Sequence, residues 1–525
     1  MRTLVCEVEN ELGRELVSWE SIEVGRSGVA SGSSWRSLRS FMSSRGGTFY
    51  CYHLDFVGRF LVARLLDEGF RWVSREGSWT NGEFTTMFSE HGQCYGVSWQ
   101  DRGRRVRVCD YTKLVRADMR EVMRAFPGVS SKSEVMALSL EEMHREGING
   151  VTIAQAALSD FKRTIGPKNF GRRFPPVSRS LDFDQEVRKA YHGGFCDVNH
   201  DYMNKDLEDI WVYDVKSLYP SILKRYPMPW GLPIEFDGAP ADSDILWIAS
   251  VTLSATVKSD GVPFLMVKRN PLFDPMSYVV DTMGMQTLWL SSVDFLALQE
   301  NYDLDVSGFN GGFAFLPCAG VFDDYVDKWY ERKEESEGMR KVSAKLMLNS
   351  LVGKFGANVL LTDQVPVSKA GYLDFERGET VQRDGVYLPV SVFVNAFGRL
   401  ELTRAIRSAG LENWIYSDTD SLHLLKPAQD GEFKLGSEMG QLDLKKRFDR
   451  GRYLSRKRYV GEVDGRLDMT CAGMPSNILE RMTFDDFKVG WSNVLPDGSF
   501  RPGMEMWKPY PTKGGMVRRP YVFNL

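Results

Sequence analysis

The sequence lacks three features that would set its class at once: paired cysteines, a long apolar run and an excess of positive charge. Its seven cysteines, at positions 6, 51, 94, 109, 196, 318 and 471, are odd in number and form no CxxC pair. That argues against a disulfide framework or a zinc ribbon and fits a reducing, cytoplasmic setting. No apolar stretch nears the roughly 18 residues of a membrane span, and Glu7, Glu9 and Glu11 stand where a signal peptide would be basic and then apolar. A soluble, unprocessed chain with no membrane partner is expected. Lys and Arg number 66 against 70 Asp and Glu, a net charge of −4, which taken alone argues weakly against a nucleic-acid partner.

What is present is ample core material. The 525 residues are 43% hydrophobic and 12% aromatic, enough for three or four domains at roughly 100–200 residues each. Over the first 155 or so residues short β-rich runs mix with amphipathic helices. In FVGRFLVARLL the stripe Phe56, Val57, Phe60, Leu61 and Leu65 has helical spacing, so an α/β domain is expected. The segment 161–176, FKRTIGPKNFGRRFPP, holds five cations, no acid, three prolines and two glycines, and reads as a basic connector. Beyond it, strand-like runs such as DIWVYDV and NWIYSD alternate with helical ones, and DDYVDKWYERKEESEGMRKVSAKLMLNSLVGKFG reads as one long helix.

Three constellations carry chemistry. In WVYDVKSLYPS, Asp214 closes an apolar strand before a turn at Ser217 to Pro220, and an Asx turn would explain it alone. In WIYSDTDSLHLL, apolar arms flank Asp418-Thr419-Asp420 like a hairpin. Period-2 geometry sets Asp418 and Asp420 on one side of a strand, where two close anions call for a hard divalent cation between them. A solvated acidic turn would equally explain that pair. On the expected helix Lys341, Lys345 and Asn349 recur at i, i+4 and i+8 with Gly353 a turn further, a row suited to a triphosphate and a base pair. Leu346, Leu348, Leu351 and Phe355 are the face to bury, and a solvated basic face is the plainer account of the row.

Taken in order, these segments resemble the DxxSLYPS, KxxxNSxxG and YxDTDS motifs of family B DNA polymerases. The resemblance narrows to the protein-primed branch of small linear genomes through YHGG at 191–194, KRY at 457–459, and CAGM at 471–474 followed by TFDDFKVG. It runs from about Thr152 to the C-terminus. It implies an α/β and α+β multidomain fold, an exonuclease-like N-terminal domain joined to a right-hand polymerase. Residues 1–155 would be a degenerate 3′–5′ exonuclease-like domain, 156–225 palm with the first motif, and 226–320 a first terminal-protein-region insertion. The fingers would occupy 321–357, a second terminal-protein-region hairpin 358–390, the rest of the palm 391–471 and the thumb 472–525. Spacing agrees with the first insertion: 131 positions separate Asp214 from Lys345, far more than a connection needs. The run 358–389 alternates like a hairpin.

By resemblance the reaction is template-directed transfer of a dNTP onto a 3′ hydroxyl, assisted by two divalent ions, Mg²⁺ or alternatively Mn²⁺. Asp214 and Asp420 would hold the metals with the Val215 carbonyl, and Asp418 would be an accessory catalytic acid. Lys341, Lys345 and Lys333 would bind the triphosphate, Asn349 would line the nucleotide pocket, and Tyr219 would stack beneath the sugar and exclude a 2′-hydroxyl. Tyr191, Gly193, Gly194, Ser217, Thr419, Lys457 and Tyr459 would contact DNA. Implied partners are template and primer DNA, dNTPs and a terminal protein that primes synthesis, with strand displacement and a monomeric enzyme.

Two departures from the family matter. Val352 stands where NSxYG has tyrosine, which keeps an apolar floor but removes ring area and a hydroxyl. In the N-terminal domain Glu7 and Glu9 replace the DxE pair, Val57 stands at the expected catalytic Asp, and His53 at an Asn. Neither the Tyr nor the Asp of a YxxxD motif is visible in SKSEVMALSLEEM, so proofreading is expected to be lost. Alternatives are a family B polymerase that is DNA-primed or primer-independent, and a polymerase-derived DNA-binding module without catalysis. Charge supports a DNA partner locally: residues 445–458 carry eight cations against Asp449, and Lys508, Lys513, Arg518 and Arg519 follow near the C-terminus.

Overall fold

A computed structural model describes the 525 residues except 9–14, 75–78, 90–91, 176–180, 241–244, 268–276, 370–371, 383–386, 432 and 513–514. The N-terminal part is an eight-stranded sheet in the order 29–32, 16–22, 2–8, 47–51, 104–110, 94–101, 83–88, 71–72. Its centre is parallel, Arg2–Val8 against Gly47–Cys51 and that against Arg104–Asp110. Parallel neighbours need crossovers, and the helices Trp35–Arg45 and Leu54–Asp67 are placed to supply them. The second lays Val57, Phe60, Leu61 and Leu65 into the core as the stripe predicts, while Phe56 is only half-buried.

The centre of the molecule is a seven-stranded antiparallel sheet in the order 466–471, 458–463, 442–455, 206–215, 421–424, 414–418, 196–198. It brings together the strands bearing Asp214, Asp418 and the KRY segment, which are far apart in the chain. Between its strands 206–215 and 414–418 lies a four-stranded sheet, 228–236, 302–318, 246–257 and 286–291, with helix Ser292–Asn301 beside it. The hairpin Leu360–Lys369 and Tyr372–Gln382 leans on the N-terminal domain: Leu373 is buried in that domain's core, and Phe375 meets Phe88 with ring centroids 4.6 Å apart. A separate C-terminal core gathers Leu454, Val460, Met482, Phe484, Phe487 and Trp491.

Three local expectations change. Segment 161–175, read as a basic connector, is largely helical: helices Ile153–Ile165 and Pro167–Arg173 meet at Gly166. Phe161 and Phe174 are buried with Phe322 and Phe355 in an aromatic cluster, so apolar packing overrides the proline and glycine signals. The long helix is two, Asp323–Glu335 and Gly338–Phe355, because Gly338 takes a φ of 57° and turns the chain back on itself. The turn expected at Ser217 to Pro220 is instead the start of helix Leu218–Arg225, where a proline in the first turn costs no hydrogen bond. Among the described residues no helix is long and apolar enough to cross a membrane.

Helix Leu388–Ala409 runs through the centre almost wholly buried. Along its apolar length Ser391, Asn395 and Arg399 form a polar row at i, i+4, i+8, each satisfied by a different neighbour. The Ser391 hydroxyl donates to the Val352 carbonyl at 2.5 Å. Asn395 accepts from the Tyr219 hydroxyl at 2.9 Å. Arg399 grips both oxygens of buried Asp294 at 2.8 and 2.9 Å and donates to the carbonyls of His192 and Gly193 at 2.8 and 2.6 Å. Removing one partner of such a buried pair strands a charge, so Asp294→Ala should cost about 3–5 kcal/mol. Thermal melts check this; Arg399→Met combined with Asp294→Leu is expected to melt higher than Asp294→Ala alone.

Candidate active site

The cleft begins where strand Asp206–Val215 ends, with Asp214 paired to Ser421 on one side and Asp443 on the other. Strands Trp414–Asp418 and Ser421–Leu424 form a tight hairpin whose tip is Thr419 and Asp420. The Val215 amide donates to the Asp420 carbonyl at 2.7 Å, which ties that tip to the strand end. The carboxyls of Asp420 and Asp214 then face the same cavity close enough to act on each other. Burial raises both carboxyls above the ordinary range, and the neighbouring Asp214 adds to it at Asp420, which is pushed up to about 7. Two acids so placed cannot both ionise unless a cation intervenes, and oxygen donors of this kind fit a hard divalent ion.

Asp418 stands across Thr419 from Asp420, close enough that its charge adds to the rise at the Asp420 carboxyl. Period-2 geometry holds only along an extended strand, and Thr419 breaks it with a left-handed φ of 64°. A second recess of about 280 Å³, lined by Tyr416, Asp420, Tyr459 and Thr470, also borders Asp418. There Lys457 donates to its two oxygens at 3.0 and 2.7 Å, and the Thr419 and Tyr416 hydroxyls donate at 3.1 and 3.4 Å. Among the described residues no group of three acids, histidines or cysteines is gathered for a metal.

Facing Asp214 and Asp420 across a cavity of about 560 Å³ are Lys341, Lys345 and Asn349, with Tyr219 and Lys333 at its walls. Lys341, Lys345, Asn349 and Gly353 are the exposed face of their helix, and Leu348, Leu351 and Phe355 are buried, while Leu346 is half-buried. Lys333 comes from the preceding helix, donating to the Ser217 hydroxyl at 2.9 Å, and burial holds its ammonium below lysine's usual range. Val352 does not form the cavity's floor: it is buried behind, and the lining from this helix ends at Leu348 and Asn349.

The YHGG segment is packed against both halves of the cleft. A Cβ on Gly194 would come within 2.8 Å of the Thr419 side chain, and one on Gly356 within 2.4 Å of the Tyr191 hydroxyl. Glycine permits both approaches, and the Thr419 amide then reaches the Phe195 carbonyl at 2.7 Å. Gly193 is held through its carbonyl by Arg399. Ser217, Thr419 and Lys457 all adopt positive φ, at 56°, 64° and 56°. Such backbone costs about 1–3 kcal/mol per residue and persists where surrounding structure enforces it.

The N-terminal candidates are not assembled in this way. Glu7 is exposed and accepts from the Ser18 hydroxyl at 3.2 Å, Glu9 lies outside the described residues, and Val57 is 3% exposed within the core. His53 opens helix Leu54–Asp67 with φ 54°. Asp55 accepts from the Cys94 amide at 2.5 Å, so it serves the local backbone.

Sequence reasoning missed Ser391, Asn395 and Arg399, which hold helix Gly338–Phe355, Tyr219 and YHGG. Three polar residues at i+4 spacing inside LPVSVFVNAFGRLELTRAI were the available signal, since buried polar groups seek partners. It also missed Asp443 and Lys445, which pair at 2.7 Å in the cavity lining.

The sequence matches the family described as DNA polymerase type B, organellar and viral, over residues 129–431. The DNA polymerase of Bacillus phage Nf is 31% identical, covering 91% of this chain and 90% of that protein. That of Bacillus phage phi29 is 30% identical with the same coverage of 91% and 90%. The structure of phi29 DNA polymerase complexed with primer-template DNA and incoming nucleotide substrates matches with a TM-score of 0.88 at 28% identity, over 100% of this chain and 99% of that one.

The raised Asp420 pKa has a sign that can be tested in protein freed of divalent ions. Stability from the protonated carboxyl is full below the unfolded value near ~4 and is lost as pH rises through about 7. Asp420→Asn should therefore raise the melting temperature by a few degrees at pH 8 and leave it unchanged at pH 4. An equal shift at both pH values would count against the raised Asp420 carboxyl.

Proposed function

Because the chain belongs to the type B DNA polymerases of organelles and viruses, and is a DNA-directed DNA polymerase, we propose that its reaction runs at Asp214 and Asp420 and can start on a terminal protein. The observation that carries this is the acid pair opposite a row of lysines in one cavity. The family uses divalent ions; Asp214, Asp420 and the Val215 carbonyl would hold two, with Mg²⁺ the proposed species. Bound there, the ions supply acidity to the attacking hydroxyl and charge to the leaving pyrophosphate.

The chain's own groups do the rest. Lys341, Lys345 and Lys333 orient the triphosphate, Asn349 borders the base, and Tyr219 lies under the sugar. Asp418 and Lys457 form a neutral pair beside the recess lined by Tyr459, where the primer end is expected. Tyr191, Gly193, Gly194, Ser217 and Thr419 shape the wall along which DNA lies. The phi29 enzyme's complex with primer-template DNA and nucleotide supports DNA and dNTPs as partners here.

Priming by a terminal protein is supported by the likeness to phage polymerases and by the folded insertion and hairpin at 228–318 and 360–382. Loss of proofreading is supported by Val57 in the core and by Asp55 committed to Cys94. Asp214→Ala or Asp420→Ala should lower primer extension by at least a thousandfold while DNA binding by gel shift survives; retained extension defeats the metal assignment. Incubation with the cognate terminal protein and a labelled dNTP should yield a covalent protein–nucleotide adduct, and extension of DNA primers alone would overturn protein priming. Degradation of a single-stranded 3′ end that stops on mutating Glu7 and Glu9 would restore proofreading.

A further inference from the structure

We propose that Asn395 is a positioning residue for Tyr219 and so sets how strictly the cavity excludes a 2′-hydroxyl; this rests on the reading of Tyr219 as the group beneath the sugar. Tyr219 stands in the first turn of helix Leu218–Arg225 and its ring borders the cavity. One ring edge lies against helix Leu388–Ala409, where a Cβ on Gly398 would sit 3.6 Å from Tyr219 Cε1. At the far end of the ring the hydroxyl donates to Asn395 Oδ1 at 2.9 Å. Burial pushes the phenol's pKa up to about 12, so the proton stays available for that bond.

Asn395 is suited to the task because its amide is fully committed. It is 5% exposed, and its Nδ2 donates to the Ser391 carbonyl at 2.8 Å, a group that can only accept. That bond settles which end of the amide faces Tyr219. Of the two, the bond to Ser391 stays within one helix, and the bond to Tyr219 crosses to another. A tyrosine ring swings about the torsions next to its backbone, so a restraint at the hydroxyl acts with the longest lever. Rejecting one extra oxygen on a sugar is a matter of about an ångström, which a ring held only at its base would yield more readily.

A neutral buried hydrogen bond of this kind corresponds to roughly a fivefold to tenfold effect. The experiment measures kcat/KM for a dNTP and for its rNTP in single-nucleotide insertion on primed template, using the full chain. Tyr219→Phe removes the hydroxyl but keeps the ring, and Asn395→Ala removes its acceptor. Each is expected to lower the dNTP/rNTP ratio about fivefold to tenfold, and the double variant no further than either alone. Tyr219→Val, which removes the ring, should lower it more. If Tyr219→Val relaxes selection while Tyr219→Phe and Asn395→Ala leave the ratio unchanged, the tether is refuted and the gate stands. If Tyr219→Val also leaves it unchanged, the gate reading fails and the tether with it. Additive effects in the double variant would show that Asn395 acts by another route and overturn the proposal. Should Asn395→Ala not fold, an unchanged ratio in Tyr219→Phe is sufficient to refute it.

Discussion

The closeness of the Asp214 and Asp420 carboxyls in one cavity is the constraint around which the cleft is built. Left to themselves two acids would separate into solvent, and the backbone prevents it: Val215 binds the Asp420 carbonyl, and Asp214 is registered against Ser421. The sheet behind them bears the cost. Tyr416, Tyr453, Phe448 and His423 pack there, and His423 bonds the Tyr453 hydroxyl at 2.7 Å. Burial pushes the His423 pKa down to about 3, so the imidazole adds no charge beneath the acids. On the opposite wall Lys341 and Lys345 reach the cavity from helix Gly338–Phe355.

That wall is held in place by helix Leu388–Ala409. Ser391 binds helix Gly338–Phe355, Asn395 binds Tyr219, and Arg399 binds both helix Ser292–Asn301 through Asp294 and the YHGG backbone. Each bond is made by a buried polar group on one rigid element. Breaking any of them would leave a partner unsatisfied in the core, so helix Gly338–Phe355, Tyr219 and the YHGG segment are positioned together.

The N-terminal domain illustrates the reverse case. Its parallel sheet and the helix carrying Val57 are intact, but the position expected to hold an acid is filled by core packing. The same core receives Leu373 of the hairpin, so the domain's fold supports another element of the molecule. Net charge misleads for a related reason: phosphate contacts depend on local field, and the run 445–458 is cationic although the chain totals −4.

Much of the architecture was legible from residues alone. Apolar alternation around Asp214 and around Asp418 to Asp420 marked adjoining strands, and the lysine row with its apolar back marked a helix with one free face, because those periodicities are properties of local backbone geometry. Motif order was enough to indicate the family. What required tertiary structure was every choice made by distant partners. The connector became helices because Phe161 and Phe174 found Phe322 and Phe355, and one helix became two where Gly338 turned. Asp418 gained Lys457 as its partner, and a left-handed Thr419, bonded to Phe195, replaced the extended geometry expected between it and Asp420. Asn395 and Arg399 gained meaning only from what packs against them. Local pattern reports which face of an element is apolar; long-range packing decides which side chains across it share a proton, a cation or a hydrogen bond.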